Sequence, residues 1–222
     1  MKTVSNDGDV LQIDIVSDVM CPWCIVGYRQ LEQALRRLSL SARLRWHPFE
    51  LNPDMSPGGQ NLGEHIAAKY GATPEQSREN RKRLARIGES LGIVFRFDDD
   101  SRIVNSFLAH QLLDWADEKG LQHPLMLALF EAHFTAGLDV SDPQVLTEVA
   151  GRVGLDTAGA AQVLASGERA ARVRENERFW TSRGITGVPS MIFGGRFLLT
   201  GAQGVDTYAR MLERARDAGA AA

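Results

Sequence analysis

The chain contains two cysteines, Cys21 and Cys24, and only Pro22 and Trp23 lie between them. Two thiols at this spacing lie one helical turn apart on the same face, close enough to form a disulfide bond. Such a pair can exchange disulfides, because one thiolate attacks a substrate disulfide and the second thiol resolves the mixed disulfide that results. The motif therefore predicts a redox centre.

The two thiols are expected to play unequal roles. Pro22 suits the first position of a helix, where no N–H is required and a fixed φ helps. Cys21 would then be the N-cap residue, with its sulfur facing the free N–H groups of the first turn and the positive end of the helix dipole. Because that environment favours a thiolate, we expect Cys21 to attack and Cys24 to resolve.

Two other uses of a cysteine pair fit less well. A structural zinc site needs four ligands, usually including a second pair of Cys or His at short spacing. The histidines of this chain are scattered singly, at His47, His65, His110, His123 and His133. A purely structural disulfide across so short a loop would restrain little of the unfolded chain. Redox chemistry without a bound metal is the favoured interpretation.

The neighbouring segments predict how the motif is held. An apolar, β-branched stretch at 10–16 predicts a buried strand just before it. Apolar residues at helical spacing predict a helix over 22–39, so the motif closes a strand-to-helix turn. Alternating residues at 42–51 predict a second strand, which completes a βαβ unit with a right-handed crossover.

Helical signals dominate the middle of the chain. Asn61 with Glu64, and Thr73 with Gln76, predict helix N-termini with capping boxes, and Gly71 predicts a stop between them. Residues 93–102 are expected to be extended or irregular. Further helices are predicted over 74–91, 103–119, 124–137, from Asp142-Pro143 onward, 156–166 and 168–183.

The last fifty residues return to strand patterns. Two short apolar runs, 190–193 and 196–200, flank Gly194-Gly195 and predict an antiparallel hairpin, followed by a helix over 204–216. We therefore predict an α/β protein with a discontinuous domain, residues 1–51 plus 172–222, and an inserted helical subdomain, residues 52–171.

Composition argues against several classes of function. The apolar fraction of 44% and the charged fraction of 24% are typical of a soluble globular protein. A net charge of −3 gives no reason to expect nucleic acid or an anionic membrane as partner. The arginines of 74–91 alternate with glutamates, as on a solvated helix face. Residues 1–9 lack the apolar core of a signal peptide, and we expect a cytoplasmic protein. There, a lone Cys-x-x-Cys is more often catalytic than structural.

Several segments together resemble a known family. They are residues 18–27, 48–53, Asn105, 109–110, 130–134, 187–189 and 200–203. In these the chain is similar to the DsbA-type dithiol–disulfide oxidoreductases, and more narrowly to their FrnE-like branch. The resemblance implies a thioredoxin-like fold with a large all-helical insertion. It also implies a redox-active Cys21–Cys24 disulfide and no bound cofactor.

The resemblance also implies roles for residues far from the cysteines. A cis Val188–Pro189 bond would lie beside the active disulfide, where backbone groups of Val188 could pair with an extended peptide or glutathione. Asn105 and His110 match family positions, either as substrate-binding residues or as helix residues with satisfied hydrogen bonds. Pro22 and Trp23 are expected to support the site.

One position departs from the family pattern. Thioredoxin-like enzymes often keep a buried acid six residues before the first cysteine, to move protons at the second one. Here that position is Ile15. Asp18 is a candidate for a substituted proton shuttle, but the favoured interpretation is that Asp18 caps or orders the turn.

The expected activity is that of a protein dithiol–disulfide oxidoreductase or isomerase. Its substrates would be protein or peptide thiols and disulfides, with glutathione as a candidate co-substrate, and the protein would be a monomer or homodimer. One alternative is a glutathione-dependent enzyme of the kappa-class transferase or 2-hydroxychromene-2-carboxylate isomerase type. Those relatives typically have a lone serine or cysteine at the position of Cys21, so Cys24 argues against this class. A non-catalytic peptide binder or holdase is the second alternative.

Overall fold

The computed structural model describes residues 10–220. The expected lack of a signal peptide concerns residues 1–9, which lie outside this range, as do residues 221–222. The strands within it are β1 (Leu11–Ser17), β2 (Ala42–Pro48), β3 (Gln60–Asn61), β4 (Arg102–Ile103), β5 (Ser190–Phe193) and β6 (Phe197–Thr200).

Strand β1 is a central strand of a four-stranded sheet with the order β2-β1-β5-β6. It runs parallel to β2, with Ile15 opposite Trp46, and antiparallel to β5, with Ile15 also opposite Met191. Ile13 and Ile15 are fully buried, as an apolar strand paired on both sides requires. Strands β5 and β6 form the predicted antiparallel hairpin. The predicted βαβ unit and hairpin are thus confirmed.

Nine helices are found in residues 10–220. They are α1 (Pro22–Arg37), α2 (Leu62–Tyr70), α3 (Pro74–Ser90), α4 (Phe107–Asp117), α5 (Gln122–Phe130), α6 (Pro143–Arg152), α7 (Thr157–Ser166), α8 (Ala170–Thr181) and α9 (Val205–Ala220). A π-helical turn, Glu131–Thr135, continues α5. Helix α1 packs against α9 beside the sheet, while α4 to α7 pack mainly on one another. No helix in this part of the chain is long and apolar enough to cross a membrane.

Several helix boundaries follow the predicted caps. The Asn61 side chain accepts the Glu64 N–H at 3.1 Å, and Thr73 forms the reciprocal capping box with Gln76. Gly71 ends α2 in the left-handed conformation, with a φ of 66°. These caps satisfy backbone groups that a helix end leaves free, which is why they mark boundaries in the sequence.

Two predicted boundaries are wrong. Helix α4 begins at Phe107 rather than at 103, because the Asn105 side chain takes the Phe107 N–H at 2.9 Å and Ile103 pairs in β4. Strand β2 ends at Pro48 rather than near 51, because the Leu51 N–H is bound by the carboxylate of Asp18. The division into a discontinuous domain and an insertion, at 52 and 172, stays a prediction.

Candidate active site

The two cysteines lie at the start of α1, just after the turn that connects β1 to this helix. Cys21 is the N-cap residue of α1, in the extended conformation, and Pro22 occupies the first turn. The Cys21 N–H donates to the Asp18 carbonyl at 3.0 Å, and the Cys24 N–H donates to the Cys21 carbonyl at the same distance. Both residues are free thiols; Cys21 is 3% exposed and Cys24 is fully buried. Cys21 is therefore the more exposed of the two thiols, although both residues are buried.

Strand β5 brings a second segment against Cys21. The Cys21 thiol donates to the Val188 carbonyl oxygen, with a sulfur–oxygen distance of 3.7 Å, and the Val188–Pro189 peptide bond is cis. The backbone of Val188 thus lies directly beside the accessible sulfur. Trp23 extends outward from the same rim and is 39% exposed.

Gly27 allows this segment to approach α1 closely. A Cβ atom at Gly27 would lie 3.1 Å from Pro189 Cγ and 3.0 Å from Tyr208 Oη. The Tyr208 hydroxyl is itself fixed, since it donates to the Gly201 carbonyl at 2.9 Å. The lack of a side chain at Gly27 therefore sets the spacing between α1, β5 and α9.

The environment of Cys24 favours its neutral thiol. Burial, together with the neighbouring Cys21, raises the pKa of Cys24 well above its ordinary value. The nearby Ser17 side chain acts in the opposite direction and lowers the pKa of Cys24. Ser17 was not predicted as a site residue. Its signal in the sequence is slight: it is a hydroxyl at the end of an otherwise apolar strand, four residues before Cys21.

Asp18 holds the turn that precedes Cys21. Its carboxylate accepts the Met20 N–H at 3.0 Å and the Leu51 N–H at 2.7 Å. Burial by itself raises the pKa of Asp18, but His110 and these two N–H groups outweigh it and leave the pKa lowered. These contacts are those of a residue that orders the turn. Any role in proton transfer stays a prediction.

His110 reaches the same turn from α4. Its Nε2 lies 3.2 Å from the Phe49 carbonyl oxygen, so this nitrogen carries the proton. The same Nε2 lies 3.7 Å from Asp18 Oδ1, an ion-pair distance rather than a hydrogen bond. Although burial opposes it, Asp18 raises the pKa of His110. His110 therefore contacts the active-site turn from behind.

The other predicted binding residue, Asn105, also makes protein contacts. Its amide N–H donates to the Met55 carbonyl at 3.2 Å, and its oxygen accepts the Phe107 N–H. These bonds hold the segment that leads into α4. A substrate-binding role for Asn105 or His110 stays a prediction.

A cluster of charged side chains contacts the loop that follows β2. The buried carboxylate of Glu50 pairs with Arg174, which also binds Glu177 at 2.9 Å. Burial, with a contribution from Glu177, raises the pKa of Glu50 to about 7. Glu50 Oε1 has no hydrogen-bond partner in the described part of the chain. The loop 49–51 is thus bound by Asp18, His110 and Arg174 together.

A large cleft opens in front of Cys21. Its volume is about 630 Å³, and it separates Cys21 and Trp23 from α2, α3 and the π-helical turn. The wall is mostly apolar, and it includes Leu62, Ile66, Leu84, Phe97, Phe134 and Leu138. His133, carried by the π-helical turn, also lines the cleft, and burial lowers the pKa of His133. A chain or small molecule bound there would lie against the accessible thiol.

No three potential metal ligands come together anywhere in residues 10–220.

Comparison with known proteins gives the family. The family model described as the DSBA-like thioredoxin domain matches residues 12–213. The crystal structure of a probable DsbA oxidoreductase from Streptomyces coelicolor is similar, with a TM-score of 0.86 and 30% identity, over 92% of this chain and 89% of that one.

Two further proteins are more distant. The uncharacterised protein YwbO of Bacillus subtilis is 26% identical over 203 residues, which is 91% of this chain and 96% of that protein. The cytosolic disulfide reductase DsbM of Pseudomonas aeruginosa, solved with GSH, has a TM-score of 0.61 and 20% identity, over 91% of this chain and 98% of that one. The latter likeness shows the fold alone.

The expected fold class, a thioredoxin-like α/β fold with a large helical part, is confirmed. The match spans the strands, the cysteine motif and the helices between them. This chain belongs to the family of DSBA-like thioredoxin-domain proteins.

Proposed function

We propose that the protein is a thiol–disulfide oxidoreductase whose redox centre is the Cys21-Pro22-Trp23-Cys24 motif. One observation carries the proposal: the Cys21 thiol lies at the N-terminus of α1 and lines the cleft, and the Cys24 thiol lies fully buried one helical turn behind it. The first of these thiols belongs to the N-cap residue of α1, beside the positive end of the helix dipole. The membership of the DSBA-like family supports the same activity.

The proposed reaction proceeds in two exchanges. The Cys21 thiolate attacks one sulfur of a substrate disulfide, a new S–S bond forms, and the other substrate sulfur leaves with the electron pair as a thiolate. Cys24, as a thiolate, then attacks Cys21 and releases the remaining substrate thiolate. The substrate disulfide is reduced to two thiols, and the Cys21/Cys24 dithiol is oxidised to a disulfide. The reverse sequence oxidises a substrate dithiol.

The surroundings of Cys21 suit an extended substrate. The Val188 carbonyl oxygen lies 3.7 Å from Cys21 Sγ, and backbone groups beside a nucleophile can bind a peptide as an added strand. The apolar cleft of about 630 Å³ gives room for the residues next to the substrate cysteine. We include protein disulfides, peptide disulfides and glutathione among the substrates, with Pro22, Trp23 and Pro189 supporting the site.

The distant relative DsbM supports two further parts of the proposal. It is a cytosolic reductase, and it was solved with GSH. We propose accordingly that glutathione is a co-substrate here, and that the reaction takes place in the cytoplasm. The two sulfurs are proposed to act without a metal or other bound cofactor.

Insulin reduction with matched cysteine variants tests the proposal. Cys21→Ser should abolish turnover, whereas Cys24→Ser should still attack and should accumulate a mixed disulfide that is visible by mass spectrometry. The double variant, with both Cys21→Ser and Cys24→Ser, gives the background rate of insulin reduction. Near-wild-type turnover in both single variants would contradict the assigned roles. Glutathione conjugation or isomerisation by Cys24→Ser, without any disulfide exchange by the wild type, would point instead to the glutathione-dependent transferase and isomerase class.

A further inference from the structure

Helix α2 forms part of the wall of the cleft but contributes nothing to the buried core. None of residues 62–70 is buried. Leu62, His65, Ile66 and Tyr70 line the cleft, and Tyr70 is 65% exposed. Of these four, Leu62, at the first position of the helix, packs against the apolar core. Elements with few buried apolar contacts open locally at a low cost in free energy.

The N-terminal end of α2 is firmly attached. Strand β3 lies directly before the helix and pairs with β4, and the Leu62 N–H donates to the Ser101 carbonyl at 2.8 Å. The Asn61 side chain donates to the Asp99 carbonyl at 2.7 Å, in addition to capping the helix. These bonds fix the start of α2 to the segment 99–103.

The C-terminal half of α2 is attached by one polar side chain. The Lys69 ammonium donates to the Leu51 carbonyl at 2.8 Å and to Asn52 Oδ1 at 2.7 Å. In the described part of the chain, these are the hydrogen bonds that join residues 66–70 to another element. The helix then ends at Gly71, in the left-handed conformation. One end of α2 is thus fixed, whereas the other is held by bonds that a single exposed side chain makes.

The Lys69 bonds join two walls of the cleft. Leu51 and Asn52 line the cleft together with α2, and the Leu51 N–H is bound by the carboxylate of Asp18 in the turn before Cys21. Lys69 therefore closes the cleft between α2 and the loop beside the active-site turn. A polypeptide that lies through the cleft on this side has to separate the two walls.

We propose that α2 is a lid over the cleft, and that Lys69, which holds the lid closed, is a specificity-determining residue of the disulfide exchange. With the Lys69 bonds formed, the cleft admits small disulfides to Cys21. When these bonds break, α2 swings away about its attachment at β3, and an extended polypeptide enters. Water replaces the partners of an exposed ammonium, so opening costs little free energy. The inference rests on the proposed function, and it adds how that reaction selects substrates by size.

Two disulfides of different size test the lid. Lys69→Met keeps the aliphatic stem and removes the hydrogen-bond donors. The rate constant with which the reduced protein reduces insulin should rise roughly twofold to fivefold, the range that an exposed charged contact supports, because the open lid is more populated. The rate constant for the small disulfide 5,5′-dithiobis(2-nitrobenzoate) should stay at the wild-type value, because this reagent reaches Cys21 with the lid closed.

Matched variants give the comparison. Lys82→Met removes another exposed ammonium, which bonds to Glu79 on the surface of α3, and it should change neither rate constant. Lys69→Arg, which keeps a cationic donor, should stay close to the wild type with both disulfides. An insulin rate constant in Lys69→Met that equals the wild-type value would overturn the proposal. An equal change for insulin and for the small disulfide would also overturn it.

Hydrogen exchange gives a readout that does not depend on the reaction. Because a nine-residue helix without tertiary support is marginal in water, the backbone amides of 66–70 should exchange faster in Lys69→Met than in the wild type. The amides of α1 should be unchanged. Equal exchange at 66–70 in both proteins would overturn the lid. A wild type that reduces neither disulfide would instead remove the proposed function, so the two failures are distinguishable.

Discussion

His110 Nε2 lies 3.7 Å from Asp18 Oδ1, and both side chains are almost completely buried. Asp18 belongs to the turn before Cys21, whereas His110 lies on α4, a helix from the middle of the chain. The pair therefore ties the active-site turn to a distant helix. Removing one partner would leave the charge of the other buried without a counter-charge. The loss of either side chain is therefore expected to lower the free energy of unfolding.

Asp18→Asn should lower both the stability and the pKa of His110. Breaking a buried pair costs about 3–5 kcal/mol, and the amide also weakens the bonds to Met20 and Leu51. The raised pKa of His110 contributes stability below about pH 6.5, and this is lost as pH rises through the folded-state value. The lowered pKa of Asp18 contributes stability above about pH 3.8, and this is lost as pH falls through the folded-state value.

The difference between wild type and Asp18→Asn should therefore be greatest between about pH 4 and 6.5. Urea unfolding over that range measures it, and NMR titration of the imidazole follows His110. Asp54→Asn, at an exposed position, is the control. An unchanged His110 titration in Asp18→Asn would show that the pair does not couple.

Glu50→Gln should flatten the pH dependence of folding near neutrality. Because the pKa of Glu50 is raised from 4.5 to about 7, the folded state holds this proton more tightly than the unfolded state does. Stability then falls as pH rises from about 4.5 to 7 and is level above. Glu50 should account for roughly 1–3 kcal/mol of that fall. Denaturant unfolding from pH 5 to 8 measures it, with Glu175→Gln as an exposed control. Parallel curves for wild type and Glu50→Gln would refute the expectation.

Gly27→Ala should disturb the site more than a helical glycine normally would. The added methyl group meets Pro189 and the fixed Tyr208 hydroxyl at 3.1 and 3.0 Å, and overpacking of this kind costs about 1–3 kcal/mol. The better helix propensity of alanine returns about 1 kcal/mol. Gly219→Ala in α9 meets nothing within 4 Å and should be neutral or stabilising. Thermal unfolding and insulin reduction compare the two. Equal stability and activity in both variants would mean that the close approach is not limiting.

The sequence predicted the local parts of this structure. The strand before the cysteines, the N-cap position of Cys21 and the hairpin around Gly194-Gly195 follow from patterns within a few residues, and the structure contains all of them. Caps such as that of Thr73 were found for the same reason. Short-range chemistry decides these features, so the sequence displays them.

Features that depend on distant contacts were missed. The two-residue strands β3 and β4 show no alternating pattern, and the π-helical turn at Glu131–Thr135 reads in the sequence as ordinary helix. The pairing of His110 with Asp18 joins segments far apart in the chain. Each of these requires the tertiary arrangement, which no local pattern encodes.

Trp23→Ala should weaken substrate binding with little effect on stability. Trp23 is 39% exposed at the rim of the cleft, so its removal leaves no cavity in the core. A large aromatic side chain beside the reacting thiol is expected to contribute about tenfold to binding. The KM for insulin should rise, while the reaction of Cys21 with the small disulfide 5,5′-dithiobis(2-nitrobenzoate) stays fast. Phe179→Ala, on exposed α8 surface and 44% exposed, is the control. An unchanged KM in Trp23→Ala would exclude this contact.

Cys21 is almost hidden, since only 3% of the residue is exposed, although it is the more accessible of the two cysteines. A sulfur recessed in this way meets only targets that project toward it. Disulfides in flexible tails, unfolded chains or small molecules satisfy that condition, whereas a bridge sunk within a rigid globule does not. The shape of the entrance would thus select substrates by how far their disulfide sulfurs protrude. This selection would act before the difference in redox potential between protein and substrate does.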